Sequence, residues 1–278
     1  MPTILPAPCG PLQHHFDALL EDVCASLTTH AGHLLDGIYL YGSIARGDAT
    51  PGVSDLDLTL ILRQPPTPPQ GDALETLRHA LQARHPEVIK IDFDIGYRAQ
   101  VLAPEHLYSW GYWLKHQCRC LWGEDLALHF APFAPSRAIA LAVNGDYAHV
   151  LDAYARRLDE AREPATVVRL QREASRKLIR SCNILRQDGD PCWPTSLDEH
   201  AALLLRHYPA MQAHMAYFLA QTKPGAAPAS GFTPALRRFT QWLARQQALY
   251  TSNSSFSSGL PAANAARCSS NTRTRAGR

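Results

Sequence analysis

The chain has 278 residues, of which 46% are hydrophobic and 19% charged, so most of it can fold around a sizeable buried core. Its formal net charge is +2, but the segment after Tyr250 holds four arginines and no acid, and removing those charges leaves about −2. A body this close to neutral lacks the basic face of a dedicated nucleic-acid binder. The charge therefore favours a small-molecule or protein substrate.

The cysteines and the apolar segments indicate the compartment. Seven cysteines are scattered along the chain without a Cys-x-x-Cys pair, so a zinc site is not expected. Scattered thiols of this kind are typical of a protein in the reducing interior of a cell. No stretch approaches the roughly 20 apolar residues of a membrane span, and the first residues lack a secretory pattern. The sequence predicts a cytoplasmic protein with no membrane partner.

The first half of the chain alternates between helical and strand patterns. The predicted helices cover residues 12–31, 72–85 and 105–118, and the predicted strands cover residues 34–41, 55–62, 88–97 and 119–122. The proline-rich segment from Gln64 to Gly71 predicts a surface loop, and Asp72 is the predicted N-cap of the helix that follows.

The second half shows helical patterns only. Proline or glycine separates most of the predicted helices, which cover residues 147–162, 165–187, 196–208, 210–221 and 234–250. This change predicts an α+β protein with a small mixed-sheet domain over 1–134 and an all-helical domain over 135–250. The polar, arginine-containing segment 251–278 is predicted to be a disordered tail.

The segment YGSIARGDATPGVSDLDL, from Tyr41 to Leu58, joins the first two predicted strands. Gly42 and Gly47 permit a tight turn and the close backbone approach that a phosphate needs. Ser43 adds a hydroxyl where a helix is expected to begin, so backbone N–H groups would face an anion. These residues predict a phosphate-binding turn.

Two carboxylates follow on the second strand. Asp55 and Asp57 are two residues apart, so their side chains point to the same side of the strand and repel each other unless a cation neutralises them. Oxygen-only ligands of this kind suit magnesium. A phosphate-binding turn beside a magnesium site is what phosphoryl and nucleotidyl transfer require.

GSIARG followed by SDLDL resembles the signature of the polymerase-beta-like nucleotidyltransferase superfamily. The resemblance implies that Gly42 and Ser43 hold the triphosphate of a nucleotide, and that Arg46 either contacts phosphate or braces the turn. It also implies that Asp55 and Asp57 hold two magnesium ions with the nucleotide.

The same resemblance implies a third carboxylate on a neighbouring strand, where it deprotonates the acceptor hydroxyl or bridges one metal ion. Asp92 and Asp94 both lie on the appropriate face of the third predicted strand. Lys90-Ile91-Asp92 resembles the basic-x-acid pattern of some relatives and favours Asp92 as a catalytic and metal-binding residue. Asp94 fits others, so both remain candidates.

The helical half bears on the acceptor. The segments from Leu121 to Phe133 and from Arg176 to Pro209 resemble the aminoglycoside adenylyltransferases of the streptomycin/spectinomycin type. That resemblance implies in-line transfer of AMP from ATP to a hydroxyl of a small molecule, with release of pyrophosphate. Two alternatives stay open: transfer to a protein or RNA, as in shorter toxin–antitoxin relatives, and a non-catalytic nucleotide-binding module.

Two groups of side chains in the helical patterns allow more than one interpretation. Glu173 lies among five basic residues, which can pair with it along the helix or reach the nucleotide phosphates. Trp110 and Trp113 are three residues apart, a spacing that favours packing in a core or interface over stacking on a nucleobase.

Overall fold

The computed structural model describes residues 3–7, 9–190, 192–223 and 225–257, with residues 251–257 described by their backbone only. The chain divides into two compact units, Met1–Ala134 and Pro135–Arg278, called here the amino-terminal and carboxy-terminal units. In the described residues all strands lie in the first unit and the second contains helices only, which confirms the α+β class. No helix of this described part is long and apolar enough to cross a membrane.

A mixed sheet forms the centre of the amino-terminal unit. Within the described residues its strands are β1 (Leu35–Tyr41), β2 (Leu56–Leu62), β3 (Ile91–Tyr97) and β4 (Arg119–Gly123). Their order is β3-β2-β1-β4, and β2 and β3 are parallel while the other pairs are antiparallel. A helix connects β2 to β3, as a parallel neighbour requires, whereas a shorter link joins β1 to β2.

Two of the helices of this unit cover one face of the sheet. The helices of this unit are α1 (Asp17–Ala31), α2 (Gly42–Arg46), α3 (Pro68–Arg84), α4 (Arg98–Val101) and α5 (Tyr112–Gln117). Leu58 and Leu60 of β2 are buried in one core with Leu19 of α1 and Leu81 of α3. Each such side chain contributes about 1.5–3 kcal/mol of hydrophobic stabilisation. The residues that alternate with them are left for the opposite face.

The start of α3 corrects the predicted loop over 64–71. The helix begins at Pro68, and Thr67 forms a capping box in which its N–H donates to the side-chain oxygen of Gln70 at 2.8 Å. Proline suits this first turn because its missing N–H would have no helical partner there. Asp72 therefore lies inside the helix and is not its N-cap.

The predicted aromatic helix over 105–118 is also interrupted. Pro104–His106 forms a 3₁₀ turn, Leu107–Gly111 forms a π-helical turn, and only then does α5 begin. This arrangement packs Trp110 over Gly96 of β3, where an added Cβ would lie 2.9 Å from the indole ring. The interrupted helix therefore covers the sheet face that α1 and α3 leave open.

The carboxy-terminal unit is a set of packed helices. They are α6 (Arg137–Asn144), α7 (Tyr147–Glu160), α8 (Pro164–Ser181), α9 (Leu197–His207), α10 (Gln212–Gln221) and α11 (Phe232–Ser257). The helix predicted over 165–187 ends at Ser181 and continues as a 3₁₀ turn, Cys182–Leu185. α11 passes residue 250, where the tail was predicted to begin, and the rest of that segment, 258–278, lies outside the described residues.

His116 joins two segments that flank the sheet. Its Nδ1 lies 2.7 Å from the carbonyl oxygen of Leu5, and the backbone N–H of Phe133 donates to its Nε2 at 3.1 Å. Since Nε2 accepts, Nδ1 carries the proton and the ring is neutral. Burial lowers the pKa of His116 below its ordinary value of 6.5, and Lys115 adds to this effect.

This geometry predicts a pH dependence of stability. The lowered pKa in the folded state means that the stabilisation from neutral His116 is complete above pH 6.5 and is lost as the pH falls below it. The free energy of unfolding would be measured in urea above and below pH 6.5. We expect it to decrease on acidification in wild type, and to decrease less in His116→Gln. The exposed His33→Gln is the control. An equal drop in wild type and His116→Gln would contradict the assignment.

Candidate active site

Strand register brings the predicted acidic residues into rows across the sheet. Asp57 of β2 lies opposite Asp92 of β3, and Tyr41 of β1 lies opposite Asp57 on the other side. Side chains at opposed positions point to the same face. Tyr41, Asp57 and Asp92 therefore form one row, and Thr59 and Asp94 fall in the next.

Asp55 and Asp57 occupy adjacent positions on this face. Asp55 directly precedes β2, and alternation along the strand turns it to the same side as Asp57. Both side chains are partly buried. The polar row thus lies at the end of β2 that is reached first along the chain.

Gly42 brings the Gly-Ser turn against the carboxylates. Its φ is +76°, and an added Cβ would overlap Oδ2 of Asp57 and lie 3.0 Å from its Cγ. Only glycine permits this approach, because it has no Cβ and tolerates positive φ. α2 begins at Gly42, one residue before the start expected at Ser43, and ends at Arg46. Gly47, which follows it, has a φ of +78°.

Ser43 and Arg46 lie in α2, the short helix that forms the turn. Ser43 is partly buried, and its carbonyl oxygen accepts from the backbone N–H of Asp48 at 3.1 Å. Arg46 donates through Nε and Nη2 to the carboxylate of Asp48 at 3.3 and 3.2 Å, and both side chains are exposed. This ion pair lies within the turn, and both roles predicted for Arg46 stay predictions.

The two candidates for the third carboxylate differ in their surroundings. Asp92 is buried, at 7% exposed, and its Oδ1 lies 3.0 Å from Nζ of Lys90 on the same strand. Asp94 is more exposed and accepts a hydrogen bond from the hydroxyl of Tyr41 at 3.0 Å. The register therefore places Asp92, and not Asp94, directly beside Asp57.

The donor set fits magnesium if the substrate completes it. Within the part of the chain that the structure describes, no three His, Cys, Asp or Glu side chains are grouped so as to hold a metal ion by themselves. Magnesium is commonly held by one or two carboxylates together with substrate phosphates. Asp55 and Asp57 offer such oxygens, and Gly42 brings the Gly-Ser turn against Asp57.

Three residues that were not predicted to have a role in the site, Tyr41, Thr59 and Trp113, border it. The indole N–H of Trp113 donates to Oγ1 of the fully buried Thr59 at 3.0 Å. The rings of Trp113 and Tyr41 meet edge to face with centroids 4.8 Å apart. The alternation of β2 places Thr59 on the polar face, but no local pattern identifies Trp113 as its partner.

The acidic residues of the carboxy-terminal unit are mostly used within that unit. Glu173 pairs with Arg169 at 3.1 Å, which confirms the predicted pairing along the helix. Lys177 pairs with Asp146 at 2.7 Å. The buried Asp190 receives the backbone N–H of Gln187 at 2.8 Å and contacts a histidine ring of α9. These carboxylates thus have partners within the unit and do not require a bound substrate to account for their positions.

The comparisons with known proteins show which family of domains contains this site. Residues 26–100, which span β1, α2, β2, α3 and β3, match the family model described as a nucleotidyltransferase domain. The chain therefore contains a nucleotidyltransferase domain. This confirms the superfamily resemblance drawn from the Gly-Ser and Asp-x-Asp motifs. No curated protein matches the chain by sequence.

Among the solved structures that match, one shares the fold of this chain over most of the length of both proteins. It is the spectinomycin adenyltransferase AAD(9) from Enterococcus faecialis, crystallised with ATP and spectinomycin. The match has a TM-score of 0.56 at 14% identity and covers 83% of this chain and 98% of the other. It therefore extends over both units of the fold, beyond the residues that match the family model.

Proposed function

We propose that this nucleotidyltransferase moves AMP from ATP to a hydroxyl of a small-molecule acceptor, such as an aminoglycoside, and releases pyrophosphate. The observation that carries the proposal is the row of Asp57 and Asp92 with Gly42 pressed against Asp57. A turn able to approach phosphates and a pair of adjacent carboxylates are the two parts that the reaction needs.

The carboxylates would have two roles near the phosphates of the nucleotide: they would bind metal ions and accept a proton. Asp55, Asp57 and Asp92 would hold two magnesium ions, which when bound offset negative charge on the attacking and departing oxygens. Asp92, whose burial and proximity to Lys90 keep its position fixed, would also accept the proton of the acceptor hydroxyl.

The Gly-Ser turn would hold the triphosphate. Gly42 lets the backbone approach the phosphate oxygens, and the hydroxyl of Ser43 can donate to one of them. Arg46 would mainly keep the turn in shape through Asp48, and its half-exposed guanidinium can exchange that carboxylate for a phosphate oxygen. Most of the rate enhancement would come from positioning and electrostatics.

The choice of acceptor rests on the carboxy-terminal unit. We propose that its helices between residues 135 and 250 form the acceptor-side domain. The fold match to an enzyme crystallised with ATP and spectinomycin supports a small hydroxyl acceptor, because the match spans both units. The near-neutral body of the chain also favours a small molecule over nucleic acid.

The test incubates purified protein and magnesium with ATP labelled at the α-phosphate, and separately at the γ-phosphate. The acceptors are a panel of aminoglycosides, lincosamides and a cell lysate. We expect α-label, but not γ-label, to appear on a small molecule, and chelation of magnesium to prevent it. Label on a protein or RNA would overturn the small-molecule acceptor. ATP binding without transfer to any acceptor would overturn the catalytic proposal.

A further inference from the structure

We infer that Tyr41, held by Asp94, is a positioning residue for the nucleotide phosphates and that Asp94 is not a metal ligand. The inference rests on the proposed function, because it concerns how the same site binds its nucleotide. It assigns a role to Asp94, an acidic residue on the same face of the sheet that is not one of the three proposed metal ligands.

The first support is the path of the Tyr41 side chain. Tyr41 lies on β1, and its hydroxyl donates to Oδ2 of Asp94 on β3, so the side chain crosses the face of β2. The crossing is diagonal, since the partner of Tyr41 in register is Asp57 and the partner of Asp94 is Thr59. The Tyr41 hydroxyl therefore contacts Asp94, which lies one row away from Asp92.

The second support is the packing behind the ring. Trp113 meets the Tyr41 ring edge to face at 4.8 Å and is itself fixed by its hydrogen bond to Thr59 at 3.0 Å. An edge-to-face pair of this kind restricts the orientation of both rings. Tyr41 is thus restrained at its hydroxyl by Asp94 and at its ring by Trp113.

The third support is the position of Tyr41 in the chain. It directly precedes Gly42, whose Cα approaches Asp57 so closely that a Cβ could not be accommodated. A displacement of Tyr41 therefore moves the Gly42–Ser43 turn relative to Asp57. Asp94 acts on the phosphates through this linkage, by holding the residue that begins the turn.

The roles of Asp92 and Asp94 can be separated by substitutions that differ in what they preserve. Asp94→Asn keeps an oxygen that accepts from the Tyr41 hydroxyl but removes the charge a metal ion needs. Asp94→Ala and Tyr41→Phe each remove the hydrogen bond. Tyr97→Phe is the matched control, because Tyr97 lies at the far end of β3, opposite Leu62.

The experiment measures the Kd of a non-hydrolysable ATP analogue with magnesium by calorimetry, alongside kcat and the thermal midpoint of each variant. We expect Tyr41→Phe and Asp94→Ala each to weaken binding about tenfold, as expected for a lost hydrogen bond to a charged group. Their double variant should be no weaker than either single one, since they break the same bond. Asp94→Asn should bind more tightly than Asp94→Ala, because the amide oxygen still accepts from the Tyr41 hydroxyl.

Two results would overturn the inference while leaving the proposed function in place. One is that Asp94→Asn loses as much affinity as Asp94→Ala while Tyr41→Phe binds normally, which would make Asp94 a metal ligand. The other is that all the variants lose thermal stability but none loses affinity, which would make the contact purely structural. Failure of wild type to bind the magnesium–nucleotide would overturn both proposals together.

Discussion

Asp57→Asn is expected to lower the rate of nucleotidyl transfer by about a thousandfold or more, which corresponds to the several kcal/mol of charge stabilisation that a catalytic metal ion supplies. Asp57 lies between Asp92 and Tyr41 in register and against Gly42, so it is the central carboxylate of the site. The midpoint of thermal unfolding should change little, because asparagine has nearly the same size and shape as aspartate.

The control for this prediction is Asp72→Asn. Asp72 is an exposed residue of α3, a helix that packs on the opposite face of the sheet, so its substitution should leave transfer unchanged. Both variants would be assayed for label transferred from α-labelled ATP. Wild-type activity in Asp57→Asn, or in Asp55→Ala combined with Asp57→Ala, would be incompatible with the proposed site.

Gly42→Ala is expected to abolish most of the activity for a different reason. The new Cβ would overlap Oδ2 of Asp57, and this carboxylate is too short to move away without leaving its position on the face of the sheet. The positive φ adds about 1–2 kcal/mol of backbone strain to the folded state. We therefore expect a loss of stability together with a loss of metal-dependent nucleotide binding.

Gly47→Ala separates the two effects. Gly47 has nearly the same φ, +78°, but an added Cβ there would meet no atom within 4 Å. Both variants should lose stability in urea unfolding, Gly42→Ala at least as much as Gly47→Ala, and only Gly42→Ala should lose activity and nucleotide affinity. Similar activities in the two variants would show that contact with Asp57 is unimportant.

The sequence predicted those parts of the site that depend on local pattern. Alternation along β2 placed Asp55 and Asp57 on one face, and glycine at two positions indicated the turn that the structure contains. The start of α3 was missed because a proline-rich segment is typical of a loop. Prolines are equally suited to the first turn of a helix once Thr67 caps it.

The choice between Asp92 and Asp94 could not be made from sequence. Both residues alternate onto the same face, and only the pairing of β3 with β2 determines which one lies beside Asp57. The contact between Trp113 and Thr59 is equally non-local, because the π-helical turn before α5 alters which side chains face the sheet. Local periodicity carries no information on either pairing.

The central claim is that the carboxylates beside the Gly-Ser turn bind a nucleoside triphosphate together with magnesium. The most direct test is a calorimetric titration of wild type and Asp57→Asn with a non-hydrolysable ATP analogue, with and without magnesium. We predict that magnesium strengthens binding to wild type and has little effect on Asp57→Asn. The same magnesium dependence in both proteins would contradict the claim.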